Sequence, residues 1–183
     1  VFASNLVRNY RSRFGLYACS AIMYNHESEW RGPNFVTRKI TLGAANIKCG
    51  NSDLLKMGNI DGVRDWSYAG DFIDAMWFMM TADQPRDYVL ASGKLHSVRD
   101  VLNIAFGRVG LKWEDYVQSE ASFARRKEGS ALIGDTSLIR KELGWTPKLE
   151  FEDFITLMVD KDMERVEAGV TDRTEVVVPT EHR

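Results

Sequence analysis

The stretch Asn25-His26-Glu27-Ser28-Glu29-Trp30-Arg31-Gly32-Pro33-Asn34-Phe35-Val36-Thr37-Arg38-Lys39 decides the fold. It follows an apolar run, residues 16–24, that reads as a buried central strand. A buried strand opening into Asn, His, Glu, Ser and Arg is what an α/β protein shows where a strand's carboxyl end meets its ligand. Residues 34–49 then place Phe35, Ile40, Ala44 and Ile47 near a helical period. Thr37, Arg38 and Lys39 therefore open a helix, and for Thr37 and Arg38 a solvated helix start is one reading. Working outward, residues 1–13 carry Phe2, Leu6, Val7 and Tyr10 at helical spacing, so they form a preceding helix. Brief strands are expected at 53–57 and 64–68. A helix over 72–81 carries Ile73, Met76, Trp77 and Met80, with its N-cap near Gly70 or Asp71. A strand at 87–91 and a helix at 96–109 follow, the latter opened by Ser97 and Asp100 as a capping box with Asp in place of Glu. Residues 131–133 are strand-like. A helix over 136–143 is closed by Gly144 with Pro147 beyond it, and 151–168 is the last amphipathic helix. Residues 169–183 are polar and aperiodic apart from a short apolar run at 176–178, which reads as a disordered tail. Strands alternating with helices argue for an α/β architecture with at least part of a parallel sheet.

Composition narrows the function classes. The 183 residues suit one domain or a little more, and 44% hydrophobic with 27% charged is an ordinary globular balance. A formal net charge of −2 gives no reason to expect nucleic acid or an anionic membrane as partner. No apolar run approaches the roughly 20 residues that span a bilayer, and nothing near the N-terminus resembles a cleavable signal. Two cysteines, Cys19 and Cys49, fit neither a disulfide framework nor a zinc site, so no metal is expected. The cytosol is the expected compartment.

The 25–39 segment resembles the N-H-E-S-x-R-R-G-x-F-V-T-R-K-I motif of GDP-mannose 4,6-dehydratases, which are extended short-chain dehydrogenase/reductase enzymes. The resemblance continues to about residue 168. It implies the C-terminal part of a Rossmann-type NAD(P)-binding fold plus a smaller mixed α/β substrate-binding domain. On that reading residues 1–33 are the last helix and strands of the Rossmann portion. Residues 34–168 are mainly the nucleotide-sugar domain, with chain crossings back to the Rossmann lobe, and 169–183 are the tail. No Gly-rich βα turn able to admit a cofactor pyrophosphate occurs in these residues. The family's Tyr-x-x-x-Lys dyad is absent as well. Asn9-Tyr10-Arg11 resembles the segment that follows that dyad, so by alignment its Lys falls just before Val1. Together with the missing initiator Met, this leads to the expectation of the C-terminal half of a longer enzyme.

Each candidate residue has a plainer explanation beside its functional one. A His at a strand end is, taken alone, more often a hydrogen-bonded structural residue than a ligand. The resemblance implies that His26 and Arg31 contact NADP and that Asn25 faces the nucleotide-sugar. Imidazole and guanidinium donors suit phosphate and ribose oxygens. Trp30 stands where the family has the first Arg of its triplet. Lys39 resembles a substrate-phosphate contact at a helix start, where a cation adds to the helix's own pull on anions. Arg64-Asp65-Trp66 alone is a weak tripeptide, commonly a surface ion pair. Within the family the matching Arg grips the substrate pyrophosphate, which implies that role for Arg64, while Asp71 is expected to cap the next helix. Arg125-Arg126-Lys127-Glu128 reads as a basic surface run. By resemblance to R-P-x-E-V-D, Arg125 and Glu128 contact the nucleotide end of the substrate, although Arg126, Gly129 and Ser130 depart from that pattern. His96-Ser97-Val98-Arg99 and Leu143-Gly144-Trp145-x-Pro147 match family signatures that carry fold rather than chemistry.

The activity the resemblance implies is NADP-dependent conversion of GDP-mannose to GDP-4-keto-6-deoxymannose. The groups that move protons and eliminate water in the family would lie upstream of Val1, so no catalytic residue is expected in this chain. Its expected contribution is substrate grip and part of the cofactor pocket. The alternatives are a non-catalytic remnant of the fold, or a related nucleotide-sugar epimerase or reductase. The complete enzyme is expected to be a homo-oligomer, dimer or tetramer. The chain by itself, with an apolar strand lacking sheet neighbours, is expected to be poorly soluble or stable only in an oligomer.

Overall fold

The apolar run and the polar residues after it form two short strands in line, β1 (Ala21–Met23) and β2 (Asn25–Glu27), in a computed structural model that describes residues 2–119 and 131–170. The chain changes partner between them. β1 pairs in parallel with β6 (Tyr88–Leu90), whereas β2 pairs in parallel with β5 (Trp66–Tyr68). Tyr24, at the junction, still donates its backbone N–H to the Leu90 carbonyl. The single strand expected at 16–24 is therefore shorter. Residues 16–20 are held mainly by side-chain bonds: Tyr17 Oη shares its proton between the Met79 and Ala82 carbonyls and the Ser20 amide donates to Asp87, while the Ser20 carbonyl accepts from the Tyr88 amide.

Two apolar clusters lie on either side of that junction. The first gathers α2 (Val36–Lys48), α4 (Val98–Arg108) and α6 (Phe151–Glu167) with β3 (Leu55–Met57) and Trp66. The periodic residues Ile40, Ala44 and Ile47 of α2 meet Phe154, Ile155, Met158 and Val159 of α6 there, each worth about 1.5–3 kcal/mol for its larger side chains. The second gathers α3 (Ala69–Thr81), β6 and α5 (Ser137–Leu143) with Trp145. β3 pairs in parallel with β8 (Val117–Ser119), and β4 (Val63–Arg64) pairs antiparallel with β7 (His96–Ser97). β8, and the 3₁₀ turn Trp113–Asp115 before it, had no periodic signal in the sequence.

Local chemistry explains most element ends. The capping box of α4 forms as expected: Ser97 Oγ accepts from the Asp100 amide, and Asp100 Oδ2 accepts from the Ser97 amide at 2.7 Å. His96 and Ser97 themselves are strand, so the helix starts at Val98. Gly144 closes α5 at φ +66°, a left-handed conformation that disfavours any Cβ. α3 begins at Ala69 with Tyr68 at its N-cap position, ahead of the Gly70 or Asp71 expected there. Asp71 does not cap it, because its carboxylate accepts from the distant Lys148 and Leu149 amides at 3.0 and 3.1 Å. Residues 131–133 are not strand and find no ladder partner among the described residues, and Leu132 is 73% exposed.

α1 (Phe2–Phe14) is held differently from the rest. None of its described residues is buried, and it is tethered by Arg8 and Arg11 to Asp87. With Ile73 and Trp77 of α3, its Phe2 and Phe14 remain exposed. The expected tail lies almost wholly outside the described residues, as does the 176–178 run.

Candidate functional site

The polar residues at the end of the strand converge on one cavity. It has a volume of about 550 Å3 and is lined by Asn25, His26, Arg31 and Arg64 with Met23, Tyr24 and Leu132. Four residues separated by up to 39 positions meet because β2 and β5 are paired, with Asn25 opposite Trp66 and His26 opposite Ser67. Arg64 reaches the same mouth from β4, just ahead of β5. Asn25 Nδ2 donates to the Asp65 carbonyl at 3.2 Å, which fixes its side chain to the strand that carries Arg64.

His26 packs 5.6 Å from the Phe72 ring, and its Nδ1 lies 2.9 Å from the Tyr24 carbonyl. A carbonyl can only accept, so Nδ1 carries a proton and Nε2 is the nitrogen left for other partners. Arg31 lies with its guanidinium 3.6 Å over the Phe35 ring. Its Nε is 3.3 Å from Glu27 Oε2 but has no hydrogen-bond partner among the described residues, so that contact is ionic without being an aligned hydrogen bond. Glu27 is 2% exposed and accepts from Thr37 Oγ1 at 2.5 Å. Burial pushes its carboxyl above the ordinary range, and Thr37, Arg31 and His26 oppose that push.

The loop bearing Arg31 is locked from beneath. Arg38, for which a solvated helix start is one reading of the sequence, is 2% exposed, and Thr37 is fully buried. Arg38 Nε donates to both carboxylate oxygens of Asp162 at 2.8 and 2.9 Å, and its Nη1 donates to the Glu29 and Arg31 carbonyls at 2.9 Å each. Asp162 also accepts from Thr41 Oγ1 at 2.7 Å, while Arg165 donates to the Glu29 carbonyl. The physical reason for the burial is α6, whose Asp162 meets this face of α2 and supplies the counter-charge. Arg165 lies 4.9 Å over the ring of Trp30, the residue that departs from the family's Arg.

Asp65 likewise makes no surface pair. It is fully buried and accepts from the Ser92 amide and hydroxyl and from the Gly93 and Gly134 amides at 2.6–3.0 Å. Gly134 sits so close to the β6 end that an added Cβ would lie 2.2 Å from that of Ala91. Lys39 is half-buried on α2 and does not line the cavity. Arg125 and Glu128 lie outside the described residues. Glu27, Arg38, Asp65 and Asp162 are the organising residues that the sequence did not single out. Cys19 and Cys49 are both free, and no group of three or more His, Cys, Asp or Glu among the described residues could hold a metal ion. No described helix is long and apolar enough to cross a membrane.

Parallel strand pairs flanked by helices, with a polar cavity beyond a strand's carboxyl end, are an α/β arrangement of the Rossmann type. The solved structure of RMD from Pseudomonas aeruginosa complexed with NADPH superposes with a TM-score of 0.82 at 19% identity, over 89% of this chain and 54% of that one. Residues 1–158 match the family model described as GDP-mannose 4,6 dehydratase. GDP-mannose 4,6 dehydratase 1 of Arabidopsis thaliana is 47% identical over 156 residues, covering 85% of this chain and 43% of its own length. GDP-mannose 4,6 dehydratase of Homo sapiens is 35% identical over 181 residues, covering 90% of this chain and 49% of its own. The chain belongs to the GDP-mannose 4,6-dehydratase family, and it spans about half the length of these relatives.

Proposed function

We propose that this chain is the part of a GDP-mannose 4,6-dehydratase that grips GDP-mannose and one side of NADP. The observation that carries the reading is the convergence of Asn25, His26, Arg31 and Arg64 on one cavity, in a chain of this family. Two guanidinium groups beside an amide and an imidazole are a donor set for pyrophosphate and ribose oxygens. The buried Arg31 Nε, which has no hydrogen-bond partner among the described residues, fits a cofactor oxygen as an acceptor. When bound, NADP would take up and return the hydride that the sugar loses and regains. His26 would offer Nε2 to the cofactor while its Nδ1–H holds the ring in place. Asn25 and Arg64 would orient the nucleotide-sugar, and Lys39, Arg125 and Glu128 complete the proposed substrate contacts. The role of residues 1–33 as the end of the Rossmann portion and of 34–168 as mainly the sugar-nucleotide domain belongs to the same proposal. So do a cytosolic location and assembly of the complete enzyme as a homo-oligomer.

Calorimetric titration of the chain with GDP-mannose and with GDP tests it. Saturable binding that Arg64→Ala weakens ~10-fold or more, the loss expected for a charge-assisted hydrogen bond to phosphate, supports the reading. A chain that unfolds cooperatively yet binds neither ligand would remove the claim that this part holds the nucleotide unaided.

A further inference from the structure

A second cavity, of about 270 Å3, shares no lining residue with the first. β5 contributes Trp66 and Ser67 to it, the turn after β6 contributes Ser92 and Lys94, β7 contributes His96, α5 contributes Arg140, and residues 146–147 and 149–151 close it. Three features make it a built site. Its turn is rigid, since the buried Asp65 carboxylate accepts from the Ser92 amide, the Ser92 hydroxyl and the Gly93 amide. Its Arg140 is aimed by two fixed acceptors, donating from Nε to Thr136 Oγ1 at 3.0 Å and from Nη2 to the Ser92 carbonyl at 3.4 Å. Ser67, 2% exposed in its wall, has a hydroxyl with no hydrogen-bond partner among the described residues. A buried polar atom left without a partner calls for one from outside the chain. One side is flat and apolar, formed by the His96 ring stacked on Phe151 at 3.8 Å and 4°. Lys94 stands at the rim, paired with Glu150 at 2.8 Å while both ends remain well exposed, so the pair can yield to a competing anion.

We propose that this cavity binds a small phosphorylated metabolite, its phosphate held by Arg140, Lys94 and the Ser67 hydroxyl and its carbon skeleton laid along the His96–Phe151 face. A planar guanidinium offers paired donors to a phosphate, and Lys94 adds a point charge. The volume is below the usual range for a drug-sized ligand, so the cavity is not a second place for a nucleotide-sugar. The inference does not depend on the dehydratase reading, because it uses none of the residues of the first cavity.

Inorganic phosphate and glycerol 3-phosphate, titrated into the full chain with binding followed by calorimetry and by ¹⁵N-resolved shifts of the Ser92, Gly93 and Lys94 amides, are the probes. Saturable binding that perturbs those amides is expected, weakened ~10-fold or more by Arg140→Gln and undisturbed by Arg64→Ala. Arg140 is exposed, so its replacement leaves the core intact, and Ser67→Ala provides a second, independent loss of affinity. Binding abolished by Arg64→Ala but not by Arg140→Gln would put the phosphate in the first cavity and overturn the proposal. Absence of saturable binding, or binding indifferent to both Arg140→Gln and Ser67→Ala, would overturn it equally.

Discussion

Replacing Asp162 by Ala tests whether the buried ion pair between α2 and α6 holds the Arg31 loop in place. The substitution strips Arg38, at 2% exposure, of the carboxylate that takes both of its Nε bonds, and leaves the buried Thr41 hydroxyl with its longer bond, 3.3 Å to the Arg38 carbonyl. Breaking a buried pair from one side costs about 3–5 kcal/mol, because the surviving charge is stranded away from water. Arg38→Met should cost less, about 3 kcal/mol, for a specific reason. Asp162 then keeps Thr41 and Arg165, and the Glu29 carbonyl keeps its bond from Arg165, while the Arg31 carbonyl loses the bond it had from Arg38. In the double variant Arg38→Met/Asp162→Ala neither charge remains, so its loss should fall short of the sum of the single losses by at least about 2 kcal/mol. Urea unfolding followed by circular dichroism gives all three numbers, provided the slopes stay equal. Against a typical total of about 5–15 kcal/mol, each single loss is a large fraction and easily measured. Single losses below about 1 kcal/mol, or strict additivity, would show that the pair is a bystander and that apolar packing alone fixes the loop.

Two further outcomes follow from the same geometry. Burial holds the Glu27 carboxyl above its ordinary value of 4.5, so its folded-state value exceeds the unfolded one. Such a group contributes stability that is fully present below the unfolded value and is lost as pH rises through the folded one. Glu27→Gln, which mimics the protonated form, should therefore gain stability relative to the native chain as pH climbs from about 4.5 toward 8. Urea midpoints across that range measure the difference, and a gap independent of pH would refute the assignment. The second outcome concerns the apolar face of α1 and α3, where Phe2 is 81%, Trp77 70% and Ile73 64% exposed. At micromolar concentrations the 183-residue chain should self-associate, and Ile73→Glu with Trp77→Glu should shift it toward monomer in analytical ultracentrifugation. A native chain that stays monomeric throughout would show that this face does not drive association.

The sequence was most legible where a local rule settles the structure. The i, i+3 capping of Ser97 and Asp100, the left-handed Gly144 and the apolar stripes of α2 and α6 all depend on neighbours within one or two turns. Strand ends were less legible, because strands depend on partners the sequence does not announce. Residues 16–20 have the composition of a strand but join the β6 ladder only at Ser20, whose carbonyl accepts from the Tyr88 amide, whereas Val117–Ser119 lacks the pattern and pairs because β3 lies beside it. The cavity shows the same division. Asn25, His26, Arg31 and Arg64 could be singled out by resemblance to the family's motifs, but nothing local placed them together or left Lys39 aside.

The polar residues that organise the site were the least legible, and the reason is physical. A charged side chain at a helix start belongs in water unless a counter-charge is delivered to it, and the default for Arg38 is therefore exposure. Its counter-charge comes from Asp162, 124 positions away, and is delivered only after α2 and α6 have packed. Asp65 repeats the case: beside Arg64 in sequence it resembles half of a surface pair, yet its acceptors are filled by amides from two turns 27 to 69 positions distant. Apolar periodicity records which face of an element is buried, but it carries no information on which polar group crosses that face to meet it. Buried polar networks are consequently assembled by the tertiary fold rather than by the segments that contribute to them. In this chain they lie directly beneath the proposed ligand contacts, so a substitution at Arg38 or Asp65 should alter binding without touching the ligand.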